Sequence, residues 1–212
     1  MTPEQAIAKA AAGELLPLYV IAGEERYVRE QVVVALRAAA LAGGLPDFNE
    51  DKFTAGEADV EKIVAAARTV PMMAKRRFVL VRNVDRWETR GDGDDDGKSG
   101  SPLDRLAQYA AEPVPSTCVV LTATKLDGRR KLAAVAKKQG FLVACDLLDG
   151  RALTAWIRRA FQDRGQPATD EVCELLAETA GPELAYVNDA VERLSLLSLI
   201  HISEPTRLRR IS

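Results

Sequence analysis

Apolar positions along this chain fall into two rhythms. Four short runs are apolar nearly throughout: "LPLYVIAG" (16–23), "RFVLVRN" (77–83), "TCVVLTA" (117–123) and "GFLVACD" (140–146). Each is too short for a core helix and carries β-branched or aromatic residues, so each predicts a buried strand. "FNEDKF" (48–53) is read as a further strand. Between them the apolar residues recur every three or four positions, as on one face of a helix. In the segment 24–44 they are Tyr27, Val28, Val32, Ala35, Leu36 and Ala39, and Gly43-Gly44 ends the pattern. In 57–69 they are Val60, Ile63, Val64 and Ala67. "PLDRLAQYAAE" (102–112) and "GRRKLAAVAKKQG" (128–140) repeat the spacing. At the start, Thr2, Pro3 and Gln5 form the signature of a capped helix that Gly13 closes. Strands alternating with helices, and apolar on both faces, predict an α/β domain with a parallel sheet covered on both sides.

After Asp149 strands are no longer expected. "DGRALTAWIRRAFQDRG" places Leu153, Trp156, Ile157, Ala160 and Phe161 on one face. The next helix is expected to bury Val172, Leu175 and Leu176, and the last Leu184, Val187, Val191 and Leu194. The organisation expected is an α/β domain over 1–147 and a small helical domain over 148–195. Residues 196–212 lack a helical period and contain Pro205. They resemble the translation of sequencing-adapter DNA, and a non-native tail is expected there.

Charge and composition narrow the function classes. Lys plus Arg number 29 against 31 Asp plus Glu, so no global basic field argues for nucleic acid. No apolar run reaches the roughly 20 residues of a membrane span, and the first residues lack the layout of a secretory signal. Cys118, Cys145 and Cys173 are widely spaced and read as reduced, buried thiols of a cytoplasmic protein. The chain has one histidine, His201, which leaves little material for a zinc site or a His-based triad. No metal and no cofactor is expected. The acidic stretch "RGDGDDDGKSGS" (90–101) reads as a disordered loop. Its Gly-Lys-Ser lacks the first P-loop glycine, which is Asp92, and its calcium-loop likeness fails at Leu103.

A strand, a glycine and then a helix is where a P-loop belongs, and Gly23 opens such a stretch. The pattern then fails: Val28 replaces the second glycine, Arg29 the lysine and Glu30 the hydroxyl that would meet magnesium. A later strand ends in Arg82-Asn83, without the acidic pair an ATPase needs; Asp85 has no carboxylate neighbour before Glu88. No ATP hydrolysis is expected from this chain.

In "TVPMMAKRRFVLV" (69–81) a helix ends, Pro71 follows, and two of the chain's three methionines stand side by side. Met72 and Met73 either fill a gap in the core, as flexible methionine does, or project as a knob for a partner. Lys75, Arg76 and Arg77 read as solvated cations near a helix end, or as a surface that steers toward an acidic partner or DNA. Lys125, Arg129, Arg130 and Lys131 allow the same two readings. Trp87 and Trp156 read as packing residues.

"PLYVIAGEERYVRE", "TVPMMAKRRFVLVRNVDRW", "LTATKLDGRRKL", "LTAWIRRAFQDRG" and "ELAYVNDAVERLSL", in this order and with the emptied P-loop, resemble the delta subunit of bacterial DNA polymerase III over about residues 15–195. The resemblance implies a RecA-like, AAA+-derived sheet without ATPase function, a helical lid and a helical collar, the last absent here. It implies a clamp-loader subunit that binds and opens the β sliding clamp during DNA replication. Its partners would include the tau/gamma and delta-prime subunits, with DNA touched only weakly and no membrane. Met72 and Met73, set off by Pro71, match the positions of the apolar pair that enters the clamp; the family more often has phenylalanine second. A P-loop-like NTPase and a nucleic-acid-binding module are the alternative readings.

Overall fold

The structure is a computed structural model that describes residues 1–89, 101–181 and 183–203. The chain divides into two compact units between Asp146 and Leu147. The expected disordered loop over 90–101 lies, except for Ser101, outside the described residues.

The first unit runs α1 (Pro3–Ala11), β1 (Leu18–Ala22), α2 (Arg26–Ala40), α3 (Pro46–Asn49), β2 (Glu50–Thr54), α4 (Val60–Arg68) and β3 (Arg77–Arg82). It continues α5 (Arg86–Thr89), α6 (Pro102–Ala111), β4 (Thr117–Ala123), α7 (Lys131–Lys138) and β5 (Leu142–Ala144). The five strands form one sheet in the order β2-β3-β4-β1-β5, every neighbouring pair parallel. This is the α/β parallel sheet that the apolar runs and the RecA-like resemblance predict.

Alternation along each strand sorts the side chains into two cores. Leu18, Val20, Val79, Val81, Val119 and Leu121 pack with Ile63, Val64 and Ala67 of α4, Leu106 of α6 and Leu132 of α7. Tyr19, Ile21, Phe78, Leu80, Cys118 and Val120 pack with Ala6 and Ala10 of α1 and Val32, Val33 and Leu36 of α2. The predicted capping box of α1 is present, with Thr2 accepting from the Gln5 amide and Gln5 accepting from that of Thr2. The edge strand β2 differs in kind. Its residues are half-buried or exposed, and Glu50, Asp51 and Lys52 occupy it. Charges on an open edge hinder pairing with another chain.

One strand expectation is corrected here. Phe48 and Asn49 belong to the helical turn α3, and β2 starts only at Glu50. Pro46 at the first helical position pre-sets the turn, and asparagine is a poor strand former.

The second unit holds α8 (Gly150–Asp163), α9 (Asp170–Ala180) and α10 (Leu184–Ser203). Leu153, Ile157, Ala160 and Phe161 of α8 are buried as expected. On α9 the buried strip runs through Cys173 and Leu176, leaving Val172 42% and Leu175 61% exposed. A three-helix unit covers one narrow strip of each helix, and Leu175 lies about 100° away from Leu176 around the axis. Leu194 of α10 is likewise exposed, while its neighbour Ser195 is buried. The helix continues to Ser203, past the point where the sequence loses its helical period. No proline stands between Leu184 and Pro205 to stop it. Residues 204–212 lie outside the described residues. Among the described residues no helix is long and apolar enough to cross a membrane.

Candidate functional site

The segment between α4 and β3 carries the methionine pair. α4 is capped by the Asp59 carboxylate, which accepts from the Glu61 amide, and it ends at Arg68. Thr69 leaves the helix in an extended conformation, and Pro71 then prevents helical continuation. Residues 72–75 bend without forming a helix or strand. Met72 is 55% and Met73 83% exposed, and Val70 beside them is 77% exposed. The core-filler reading is therefore overturned, because the core of this region is closed by Ile63, Val64 and Ala67 without them.

The turn is exposed yet anchored. Asn49, fully buried, donates from Nδ2 to the Met72 carbonyl at 2.9 Å and to the Leu45 carbonyl at 2.9 Å. Its Oδ1 accepts from the Met72 amide at 2.7 Å. A single amide side chain thus satisfies both backbone groups of Met72, much as a strand neighbour would. Met73 has φ of 51°, in the left-handed region that an unbranched non-glycine residue occupies at a cost of about 1–2 kcal/mol. The anchored Met72 fixes this conformation, and both methionine side chains face solvent. Sequence reading missed Asn49. The signal was present in "LPDFN", a proline-led turn placed where an unbroken strand was expected.

The basic residues separate into free and committed ones. Lys75 is exposed. Arg77 is committed: its side chain, 13% exposed, pairs with Asp51 and donates from Nη1 to the Phe48 carbonyl at 2.9 Å. Its reading as a solvated cation is corrected by this pairing. Arg76 is half-buried, with Nη1 enclosed by protein. In the second cluster Lys125 meets Glu24 at 2.9 Å, Lys131 meets Asp104 at 3.3 Å and Arg129 meets Asp127 at 3.7 Å. Arg130 is the residue before α7 and half-buried. Neighbouring carboxylates offset most of this positive charge. Trp87 packs against the first core, and Trp156 is half-buried on α8.

At the carboxyl ends of β3 and β4 lies the cleft where a parallel sheet would hold a nucleotide. It measures about 670 Å³ and is lined by Arg26, Arg29, Glu30, Arg82, Asn83 and Thr122. One of its three arginines is neutralised within the cleft. Glu30 accepts from both Arg82 amino groups, one at 3.0 Å, and this bond holds its carboxyl below the usual range. The start of α2, where phosphate would meet free amides, is capped from within. Buried Glu25 accepts from the Tyr27 amide at 2.9 Å through its own carboxylate. Gly23 keeps φ of 145°, and a Cβ there would stand 2.1 Å from the Cys145 carbonyl oxygen. That glycine serves the approach of β1 and β5 and makes no phosphate loop. Val28 packs against the second core. Glu25 is the feature that sequence reading passed over, since a carboxylate before a helix reads as an ordinary cap. Among the described residues no cluster of three His, Cys, Asp or Glu side chains could hold a metal ion.

Three comparisons bear on this geometry. The family model described as DNA polymerase III, delta subunit matches residues 19–146. The DNA polymerase III subunit delta of Bacillus subtilis is 27% identical over 184 residues, covering 86% of this chain and 52% of that protein. The solved structure of the Bacillus subtilis DNA clamp loader delta protein superposes with a TM-score of 0.76 at 25% identity, covering 93% of this chain and 58% of that one. The chain therefore spans about half the length of these relatives.

Proposed function

The chain belongs to the DNA polymerase III delta-subunit family, and from that premise we propose that it binds the β sliding clamp through Met72 and Met73. In the intact protein this contact opens the ring for loading onto primed DNA. The observation that carries the reading is the pair of exposed methionines on a turn whose backbone Asn49 holds rigid. Burying one such side chain contributes about 1.5–3 kcal/mol, so two adjacent ones can anchor an interface. Preorganisation adds to this, because a fixed turn loses little freedom on docking. Pro71 sets the exit from α4, and Lys75 and Arg76 flank the knob on the side of β3.

The chain acts as an accessory subunit and contributes no ATPase chemistry of its own. The Glu25 cap and the Glu30–Arg82 pair support this: the first occupies an amide at the start of α2, and the second sets a carboxylate where a triphosphate would meet like charge. The tau/gamma and delta-prime subunits would supply ATP binding, and residues 148–195 would act as the lid domain. The protein would work in the cytoplasm and touch DNA weakly at most. The test is binding of this chain to purified bacterial sliding clamp, beside a Met72→Ser/Met73→Ser variant of unchanged fold. The proposal requires that the parent bind and the double variant fail to. A parent that ignores competent clamp would overturn it.

A further inference from the structure

Among the described residues of the unit Met1–Asp146, the large apolar side chains that stand exposed are Val34, Leu45, Phe48, Val70, Met72 and Met73. All but Val34 lie on two short segments, 45–48 and 70–73, which are far apart in sequence. Three contacts stitch these segments together. Asn49 bonds the Leu45 carbonyl and both backbone groups of Met72. Arg77 donates to the Phe48 carbonyl. Gly44 lies against Ala74 so closely that a Cβ on it would come within 2.7 Å of the alanine methyl. The concentration of exposed apolar groups on two joined turns is the mark of an interaction surface, whereas scattered single residues would need no explanation.

We infer that the docking surface has two lobes: Leu45 and Phe48 form a second apolar contact, beside Met72 and Met73, with the same sliding clamp. This rests on the clamp-binding reading above and extends it to a turn that no family pattern marked. The occupant follows from what surrounds the surface. Exposed cations Arg68 and Lys75 flank the methionine lobe. Glu50 and Asp51, next to the second lobe, are neutralised by Arg37 and Arg77. Exposed Asp47 lies within the second lobe, between Leu45 and Phe48, so the acidic-rimmed apolar pocket that Arg68 and Lys75 fit faces the methionine lobe, and the occupant is the clamp that this lobe is proposed to enter. Phe48 is 55% exposed and Leu45 51%, so each has about half its surface still to bury. Asn49 makes the lobes one body: it fixes the height of α3 against the Met72 turn, so both are presented at once.

The test uses the full chain and purified sliding clamp in three forms: the parent, Leu45→Ser/Phe48→Ser and Met72→Ser/Met73→Ser. The two-lobed surface predicts that Leu45→Ser/Phe48→Ser binds about tenfold or more weakly, with far-ultraviolet dichroism and urea midpoint preserved. If it binds like the parent while the methionine variant fails, the second lobe is overturned and the clamp-binding reading stands. If the parent itself does not bind, both fall. Should the Leu45→Ser/Phe48→Ser variant not fold, hydrogen exchange of the parent decides. Added clamp must then slow exchange across residues 45–49 as well as 72–75, and slowing confined to 72–75 overturns the inference. Sedimentation of the parent alone covers the other occupant: self-association that Leu45→Ser/Phe48→Ser abolishes, with clamp affinity unchanged, also overturns it.

Discussion

Asn49 and Met72 are bonded twice, amide to carbonyl and carbonyl to amide, across 23 residues of sequence, at 2.9 and 2.7 Å. The partner that makes these bonds is fully buried, and the residue that receives them presents its side chain to water. A rigid inside and an exposed outside are thus joined at one peptide unit.

Replacing Asn49 by alanine should therefore cost more than its size suggests. The Met72 amide and carbonyl and the Leu45 carbonyl would all lose a partner, and unsatisfied buried groups cost about 1–3 kcal/mol each when water cannot reach them. A urea titration should show Asn49→Ala destabilised by about 2–3 kcal/mol. Clamp binding should weaken even at temperatures where the variant is fully folded. A variant as stable as the parent would show that the turn holds itself.

Met73 makes the opposite prediction. Its φ of 51° is strained for methionine and free for glycine, and its side chain is 83% exposed. Met73→Gly should leave stability unchanged or raise it by about 0.5 kcal/mol, although glycine elsewhere lowers it. The same change should weaken clamp binding, which separates the side chain's role at the interface from any role in the fold. A clear loss of stability would mean that the side chain packs after all.

How much of this was visible in the sequence depends on what each residue had to answer to. The strands β1, β3, β4 and β5 and the face of α8 were legible, because one periodicity and one burial pattern coincide in each. Phe48 and Asn49 were not, because the run "FNEDKF" carries strand-like residues while Pro46, two positions earlier, commits the chain to a turn. Val172 and Leu175 were misassigned because three helices can cover only part of an apolar helix. The exposure of Met72 and Met73 was legible only as one of two readings. Their rigidity was not legible at all, since it comes from a side chain 23 positions away.

Gly23 should tolerate no side chain. An alanine Cβ would overlap the Cys145 carbonyl oxygen, and φ of 145° is already closed to L-residues. Neither the backbone of β1 nor that of β5 can yield, because Cys145 accepts from Glu25 and donates to Ala22. Gly23→Ala should lose about 3 kcal/mol or more in urea unfolding, placing it among the most damaging single changes. Loss below 1 kcal/mol would show that the strand ends can part.

The pair Arg37–Glu50 sets an acid limit. The Arg37 hydrogen bonds, one of them 2.6 Å long, hold the Glu50 carboxyl below its ordinary value of 4.5, with Lys52 adding to the effect and burial opposing it. A depressed folded-state value contributes stability that is complete above 4.5 and is lost as pH falls through the lowered value. Because Arg37 is 41% exposed, the contribution is about 0.5–1 kcal/mol. Glu50→Gln should be less stable than the parent by that amount at pH 7, and the gap should close progressively below pH 4.5. A gap that persists in strong acid would point to packing as its source.

The cysteines report on which part of the fold opens first. Cys118 and Cys145 are 0% and 1% exposed, and burial pushes both thiols up to about 12. Both are enclosed and held as thiols at pH 8, so native labelling by a thiol reagent requires an opening that admits water. Cys173 is also buried and also raised, but it sits in the small unit of three helices, where fewer apolar contacts oppose opening. Labelling at pH 8 followed by peptide mass spectrometry should find Cys173 modified first and Cys118 last, with all three modified at once in concentrated guanidinium. The order matters for function, since Cys118 lies in β4, next to β3, the strand that follows the methionine turn. Slow labelling of Cys118 beside fast labelling of Cys173 would mean that the sheet bearing the turn stays closed while the helical unit opens. Equal rates would mean that the chain opens as one cooperative body, and the two units would then have no separate stability.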